Sequence, residues 1–236
     1  MPSAAPLTAP EYWDKYKPYR GEGPQPRPAA ARFTWTDVPG HGPGAEVLGS
    51  PGTALDLGPA EGENAAVLAR AGAAVTAVDF SPSQVNRAQQ FWRGTDGLDF
   101  VLAEACAFLD DDARTWDVIY STWGAVWFTD PEDLFPRVAR RLAPGGVFAF
   151  SHRAPAADEY GAQVMGGPWL EGREGELTVY RWQYTPEQWS DILKRTGFAD
   201  VQAQALPHPE PGRPGTLFVQ ARIGDQKRPG GTAVEV

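Results

Sequence analysis

Short apolar runs alternate with amphipathic segments along the middle of the chain, between residues 53 and 151. This alternation is typical of βαβ units, in which helices connect parallel strands and cover the sheet. It predicts strands at 53–57, 74–78, 98–103, 116–121 and 146–151. The helices between them are predicted at 64–71, 82–92, 110–114 and 131–142.

The pattern continues towards the C-terminus after a break. Thr185 is followed by Pro186 and Gln188, which is the signature of a capped helix start, and predicts a helix over 185–195. Two further strands are predicted at 200–205 and 216–223. The sequence therefore predicts an α/β fold with seven strands.

The remaining segments lack a clear period. Residues 1–33 are predicted to be a flexible segment that contains one short helix, with Tyr12 and Tyr16 on one face and Pro18 at its end. Such a helix could close over the domain as a lid. Residues 154–184, rich in Gly and aromatics, are interpreted as a cap inserted in a domain spanning 34–223, and residues 224–236 as a flexible tail.

Composition excludes several function classes. The net charge of −9 disfavours a nucleic-acid-binding surface. The single cysteine, Cys106, rules out an internal disulfide framework, and His41, His152 and His208 are too scattered to indicate a metal site. Neither a leader segment nor a run of 18 apolar residues is visible, so we expect a cytoplasmic protein without a membrane partner.

Residues suited to ligand binding follow the first three predicted strands. Gly58 and Gly62 allow a ligand to approach the backbone closely, and the helix near Asn64 directs its N-terminal amides to the same place. Asp79 ends the second strand, where a carboxylate can accept hydrogen bonds from both hydroxyls of a ribose. Glu104 follows the third strand and could accept a hydrogen bond from an adenine amino group. Taken singly, either acid could equally be a helix N-cap.

Three motifs in order carry a family resemblance. VTAVDFSPSQVNRA surrounds Asp79, WDVIYSTWGAVWF begins at Trp116, and RLAPGG precedes the fifth strand. Over residues 53–223 the chain resembles the class I S-adenosylmethionine-dependent methyltransferases. The resemblance implies a doubly wound, mostly parallel sheet with an antiparallel C-terminal strand and helices on both faces. It also implies S-adenosylmethionine as cofactor and S-adenosylhomocysteine as product.

The resemblance also assigns site residues by position. It assigns Asp56 and Gly58 to the methionine end, Asp79 to the ribose, Phe80 to the adenine face, and Glu104 and Ala105 to the adenine edge. Further candidates near the cofactor are Tyr12, Tyr16, Pro59, Gly62, Gln84, Cys106 and Ser121. At Ala60 the chain departs from the glycine that the family usually has in this loop.

Methyl transfer from a sulfonium needs alignment and exclusion of water more than a catalytic dyad. Trp123 and Trp127 follow the fourth strand, where indole faces could desolvate an acceptor or favour a cationic amine. The alternative is packing of helix on sheet, which is favoured more for Trp127 than for Trp123. Tyr16 of the lid helix is a further catalytic candidate. His152 is predicted to follow the fifth strand and to open towards the cleft, where it could act as a general base or serve only a structural role.

Several functions stay open at this point. The favoured one is methylation of O, N or C of a small, fairly apolar or planar metabolite, with secondary metabolism as the expected setting, by a monomer or homodimer. A nicotinamide dehydrogenase would require the pattern GxGxxG after the first strand. Counted from Gly58, Ala60 and Glu63 occupy the second and third glycine positions of that pattern, which disfavours this function. Two further functions are compatible with the sequence: a non-catalytic S-adenosylmethionine-binding regulator or partner subunit, and an RNA or protein methyltransferase.

Overall fold

The computed structural model describes residues 9–14, 27, 29, 31–156, 158–165 and 179–224. The strands are β1 Thr53–Leu57, β2 Ala74–Asp79, β3 Leu98–Leu102, β4 Trp116–Thr122, β5 Leu142–Arg153, β6 Gly161–Met165, β7 Val179–Gln183, β8 Phe198–Leu206 and β9 Thr216–Ile223. The α-helices are α1 Ala9–Asp14, α2 Glu63–Arg70, α3 Pro82–Phe91, α4 Ala105–Asp111, α5 Ala125–Phe128, α6 Pro131–Arg141 and α7 Pro186–Arg195, and Ala45–Leu48 form a 3-10 turn.

Seven strands form one sheet in the order β3-β2-β1-β4-β5-β9-β8. The first five strands in this order are parallel, and β9 runs antiparallel to both β5 and β8. This confirms the predicted doubly wound sheet with its antiparallel C-terminal strand. The strand order reverses between β1 and β4, and in open α/β sheets the crevice beyond such a switch point is the usual ligand site.

The sheet is apolar on both faces because its residues alternate between two cores. Leu55 and Phe148 belong to one hydrophobic cluster, whereas their neighbours Ala54 and Val147 belong to the other. Phe135 of α6 is fully buried on the first face, with its ring centroid 5.2 Å from that of Phe148. The inner strands β1, β2 and β4 are covered on both faces and almost completely buried, which explains their continuous apolar runs in the sequence.

Local side-chain caps set where the crossover helices begin. The Ser81 hydroxyl accepts a hydrogen bond from the Gln84 amide at the start of α3, and the Asp130 carboxylate accepts one from Glu132 at the start of α6. Thr185 and Gln188 form a reciprocal capping box at α7. The cap predicted from the sequence at Thr185 is therefore present, and each cap typically contributes about 1 kcal/mol.

Two predicted elements were placed wrongly. The helix expected at 110–114 is α4, which spans Ala105–Asp111, because the Glu104 carboxylate caps it by accepting from the Ala107 amide at 2.8 Å. The fifth strand is longer than 146–151, since β5 runs from Leu142 to Arg153. His152 consequently lies inside the strand and not beyond it.

The two segments outside the sheet are described only in part. Within the predicted cap, β6 and β7 pair as an antiparallel hairpin. The sequence did not predict this hairpin, because residues 154–184 show no clear period. The N-terminal helix is described over Ala9–Asp14, whereas Tyr16 and Pro18 lie outside the described residues. Within the described ranges, no helix is both long and apolar enough to span a bilayer.

We expect Phe135→Ala to lower the free energy of unfolding by about 3–5 kcal/mol, because it leaves a cavity between α6 and the sheet. Urea denaturation followed by tryptophan fluorescence measures this change. Leu102→Ala is the matched control, since Leu102 is 54% exposed and its truncation should cost no more than about 0.5 kcal/mol. Equal losses in the two variants would contradict the assignment of Phe135 to the core.

Candidate functional site

A cavity of about 850 Å³ opens at the carboxyl ends of the parallel strands. This volume lies within the range of about 300–1,000 Å³ that is usual for small-molecule sites. Residues from the loops after β1 to β4, from α1, from the end of β5 and from the β6–β7 hairpin line it. The site-residue candidates that line it are Gly58, Asp79, Phe80, Gln84, Glu104, Ala105 and Trp123.

The floor of the cavity depends on a close backbone contact between the loops after β1 and β4. Gly58 has a φ of 79°, and a Cβ atom there would lie 2.4 Å from the Ala125 nitrogen. A Cβ atom on Gly124 would lie 2.4 Å from the Gly58 carbonyl oxygen. Both positions therefore exclude any larger residue, which explains why the sequence has glycine at each.

Ala60 occupies a left-handed backbone conformation in the same loop. Its φ of 49° is a region that favours glycine and costs other residues about 1–2 kcal/mol. The Ala60 amide donates a hydrogen bond to Asp79 Oδ2 at 3.3 Å, so the strained residue is tied to the next strand. A glycine would adopt this conformation without that cost.

Asp79 is a buried carboxylate that lines the cavity. Its Oδ1 accepts a hydrogen bond from the Ser81 amide at 2.9 Å. Burial raises the pKa of Asp79 to about 6, although the amide donors around it oppose that rise. An ionised carboxylate can accept about four hydrogen bonds in total, so Asp79 keeps acceptor capacity for a ligand.

Asp56 lies beneath the loop and does not line the cavity. It is fully buried in β1 beside Tyr120 of β4, and burial raises its pKa to about 7 while the Tyr120 hydroxyl lowers it. The negative charge of Asp79 contributes a smaller rise. The expected contact of Asp56 with a ligand stays a prediction.

Three other predicted residues support the loops and do not line the cavity. The Ser121 hydroxyl donates to the Leu57 carbonyl at 2.7 Å and accepts from the Val126 amide. The Gly62 amide donates to the Pro59 carbonyl, and Gly62 forms the N-cap of α2. These contacts fix the loop shape that the lining residues require.

The adenine candidates lie after β3, at the start of α4, and around the start of α3. Glu104 and Ala105 line the cavity, and the Glu104 carboxylate also caps α4. Cys106 does not line it, and burial raises the pKa of its thiol to about 12. Phe80 and Gln84 also line it, at the start of α3.

Helix α1 is attached to the start of α3 by hydrogen bonds. Asp14 Oδ1 accepts from the Ser81 hydroxyl at 2.5 Å and from the Ser83 amide at 3.0 Å. Gln84 Nε2 donates to the Trp13 carbonyl at 2.9 Å, and Trp13 lines the cavity. Tyr12 faces Met165 and Val179 instead. Helix α1 therefore borders the site, with Trp13 and not Tyr12 at the cavity.

Trp123 lies at the mouth of the site in a strained conformation. Its φ is 53°, and its indole Nε1 donates to the Trp35 carbonyl at 3.1 Å. Trp127 also lines the cavity and meets Trp123 edge to face at 5.7 Å. Left-handed backbone at a non-glycine residue often accompanies functional sites, and Ala60 and Trp123 both show it here.

His152 is closed off from the cavity. Its imidazole is fully buried and stacks on Trp127 at 5.3 Å, and its Nδ1 lies 2.8 Å from the Arg153 carbonyl. Burial, together with the smaller effect of the positive charges of Arg181 and Arg153, lowers the pKa of His152 to about 4, although the hydrogen bond with the Arg153 carbonyl opposes this fall. The expectation that His152 opens towards the cleft is wrong, because its imidazole is fully buried between Trp127 and Trp189.

Sequence reasoning missed two lining arginines. Arg153 ends β5, and Arg181 lies in the middle of β7, and both line the cavity. The signal available in the sequence was the order of residues 179–183. In a strand, Val179, Arg181 and Gln183 share one face, and Tyr180 and Trp182 share the other. In the described residues, no group of three or more His, Cys, Asp or Glu side chains could hold a metal ion.

Comparisons with known proteins identify the family of the chain. Residues 43–203 match the model of a family described as a methyltransferase domain. Trans-aconitate 2-methyltransferase of Streptomyces coelicolor is 31% identical over 217 residues, covering 88% of this chain and 68% of that protein. The protein of the same name from Methylobacterium radiotolerans is 32% identical over 154 residues, covering 57% of each chain.

A solved structure shows the same fold. Burkholderia thailandensis 1,6-didemethyltoxoflavin-N1-methyltransferase, with 1,6-didemethyltoxoflavin and S-adenosylhomocysteine bound, is 24% identical with a TM-score of 0.58. The alignment covers 77% of this chain and 75% of that one. The strand order and the cavity at its switch point thus place the fold in the Rossmann-like class. The chain belongs to the methyltransferase domain family and is an S-adenosylmethionine-dependent methyltransferase.

We expect Gly58→Ala to destabilise the protein by about 1–3 kcal/mol more than Gly145→Ala. Both glycines have positive φ values, 79° and 72°, but nothing lies within 4 Å of a Cβ atom placed on Gly145. The control therefore carries the backbone strain without the clash against Ala125. Urea denaturation of both variants gives the difference, and equal midpoints would show that the two loops are not in close contact.

Proposed function

We propose that Asp79 binds the ribose of S-adenosylmethionine and that the methyl acceptor is a small molecule held at the other side of the cavity. The observation that carries this proposal is the buried carboxylate of Asp79, which lines the same cavity as Gly58 at the switch point. Burying a carboxylate costs free energy unless it is hydrogen-bonded. Two ribose hydroxyls would supply the donors that Asp79 can still accept.

The surrounding residues fit the rest of the cofactor. Gly58 keeps the first loop free of side chains, so that the methionine end can lie against the backbone. Phe80 supplies an apolar ring for the adenine face, and Glu104 and Ala105 lie where its edge would be. The family resemblance suggested these assignments, and the position of these residues in the cavity lining supports them.

Aromatic side chains would align the acceptor and exclude water. When bound, the cofactor supplies a methyl group already activated on a sulfonium. The chain's contribution is then positioning, for which Trp123, Trp127 and Phe128 line the acceptor side. Because His152 is buried, with a pKa lowered to about 4, we propose that it supports the Trp127 indole and takes no proton from the acceptor.

The relatives support a small acceptor. The names of the two kinds of relative contain trans-aconitate and 1,6-didemethyltoxoflavin, and both of these are small molecules. A cytoplasmic location is supported by the single unpaired cysteine, which suits a reducing compartment. A role in secondary metabolism and the oligomeric state stay predictions.

We expect Asp79→Asn to weaken binding of S-adenosylhomocysteine by about 10- to 100-fold, because charged hydrogen bonds contribute about 1.5–3 kcal/mol. Isothermal titration calorimetry measures the affinity. Asp99→Asn is the matched control, since Asp99 is an exposed carboxylate on the adjacent strand β3 and should change nothing. Unaltered affinity in Asp79→Asn would refute the ribose assignment.

We expect the affinity for S-adenosylhomocysteine to fall as the pH drops through about 6. Burial raises the pKa of Asp79 to about 6, so the free protein protonates this carboxyl below that pH, and the ribose then loses an ionised acceptor. Titrations between pH 5 and pH 8 would follow the effect. The same series with Asp79→Asn should be flat, and an equal pH dependence in the variant would assign the effect to another group.

A further inference from the structure

Two arginines from different elements lie together on the acceptor side of the cavity. Arg153 ends β5 and Arg181 lies in β7, and both line the cavity. In the sheet, β5 is three strand positions from β2, which carries Asp79. At about 4.8 Å per strand this separation is roughly 14 Å, enough to place the arginines beyond an adenosyl group that Asp79 holds.

The described residues leave this arginine pair with excess positive charge. Glu159 Oε2 is 3.2 Å from Arg153 Nη2 and 3.2 Å from Arg181 Nη2, so one carboxylate serves two guanidinium groups. Asp130 and Asp133 also line the cavity, but in the described part of the chain neither lies within ion-pair distance of the two arginines.

The hydrogen bonding of the two arginines is also incomplete, like the neutralisation of their charge. The Nε atoms of both arginines are buried and have no hydrogen-bond partner among the described residues. Each guanidinium presents several N–H donors in a planar fork, which matches the two oxygens of a carboxylate. Glu159 accepts one hydrogen bond from each arginine, so most of these donors are left for another acceptor.

The surroundings strengthen the attraction for an anion. Arg181 is mostly buried and lies 5.8 Å from the ring of Trp127. Burial and the adjacent charge of Arg153 lower the pKa of Arg181. Two like charges at a partly buried site repel each other, and an anion bound between them would remove that repulsion.

We propose that Arg153 and Arg181 together bind a carboxylate group of the methyl acceptor. The acceptor is then a small organic acid whose remaining part lies against Trp127 and Trp182. Glu159 demonstrates the geometry, because one of its carboxylate oxygens already bridges both guanidinium groups at equal distances. This inference rests on the proposed function, since it names the class of molecule that the acceptor side takes.

The test compares an acid with its neutral isostere. trans-Cinnamate with cinnamamide, and glutarate with glutaramide, are titrated calorimetrically into the protein in the presence and absence of saturating S-adenosylhomocysteine. We expect at least one acid to bind about 10-fold or more tightly than its amide, and added salt to weaken that preference. Amides that bind as well as the acids, or a panel in which no acid binds, would overturn the proposal.

Variants then assign the preference to the two arginines. Arg153→Met and Arg181→Met should each abolish the preference for the acid and leave the affinity for S-adenosylhomocysteine unchanged. Arg140→Met is the matched control, because Arg140 is an exposed residue of α6 paired with Asp110 away from the cavity. A preference that survives in both cavity variants would overturn the proposal.

The two proposals fail in distinguishable ways. If the unaltered protein does not bind S-adenosylhomocysteine, the cofactor assignment is refuted. The titrations of acid and amide in the absence of S-adenosylhomocysteine still test the arginine pair. The comparison of acid with amide in the unaltered protein needs no variant, so it decides the question even if a variant fails to fold.

Discussion

The backbone contact between Gly58 and the Gly124–Ala125 segment is the constraint on which the rest of the site depends. It joins the loops after β1 and β4 at the point where the strand order reverses. Because neither glycine has a Cβ atom, the two loops approach until their backbones touch. Ser121 of β4 fixes the same junction through its hydrogen bond to the carbonyl of Leu57, the last residue of β1. The cavity can form beyond this junction because the connections after β1 and β4 leave the sheet towards opposite faces.

Electrostatics divide the cavity into two unlike sides. On the side of β2 a buried carboxylate, Asp79, is surrounded by backbone amides, whereas on the side of β5 two guanidinium groups share Glu159. Aromatic residues between them limit the access of water, which strengthens both kinds of interaction. The protein therefore provides acceptors at one side and donors at the other, a polarity suited to two different ligands.

The sequence predicted the sheet well because its signal is local. Continuous apolar runs and capped helix starts are direct consequences of strands buried on both faces, and the Asp79 and Gly58 positions follow from where those strands end. The hairpin was missed because each of its two strands has only 5 residues, too few for a clear period. His152 was misplaced because the end of β5 is set by pairing with β9, from Val147 to Arg153, which no local pattern reveals. The arginine pair is likewise a tertiary feature, since its members are 28 residues apart in the chain, from 153 to 181.

Helix α1 is attached to the turn that also carries Asp79. Ser81 donates to Asp14 through its side chain and to Asp79 through its amide, so one residue connects the N-terminal helix with the carboxylate that we propose binds the ribose. If a ligand at Asp79 favours this arrangement of Ser81, docking of α1 and occupation of the cavity stabilise each other to the same extent, because coupling between two sites is reciprocal. The susceptibility of the N-terminal region to proteases would then depend on cofactor concentration, and the enzyme would resist degradation best while it is supplied with cofactor.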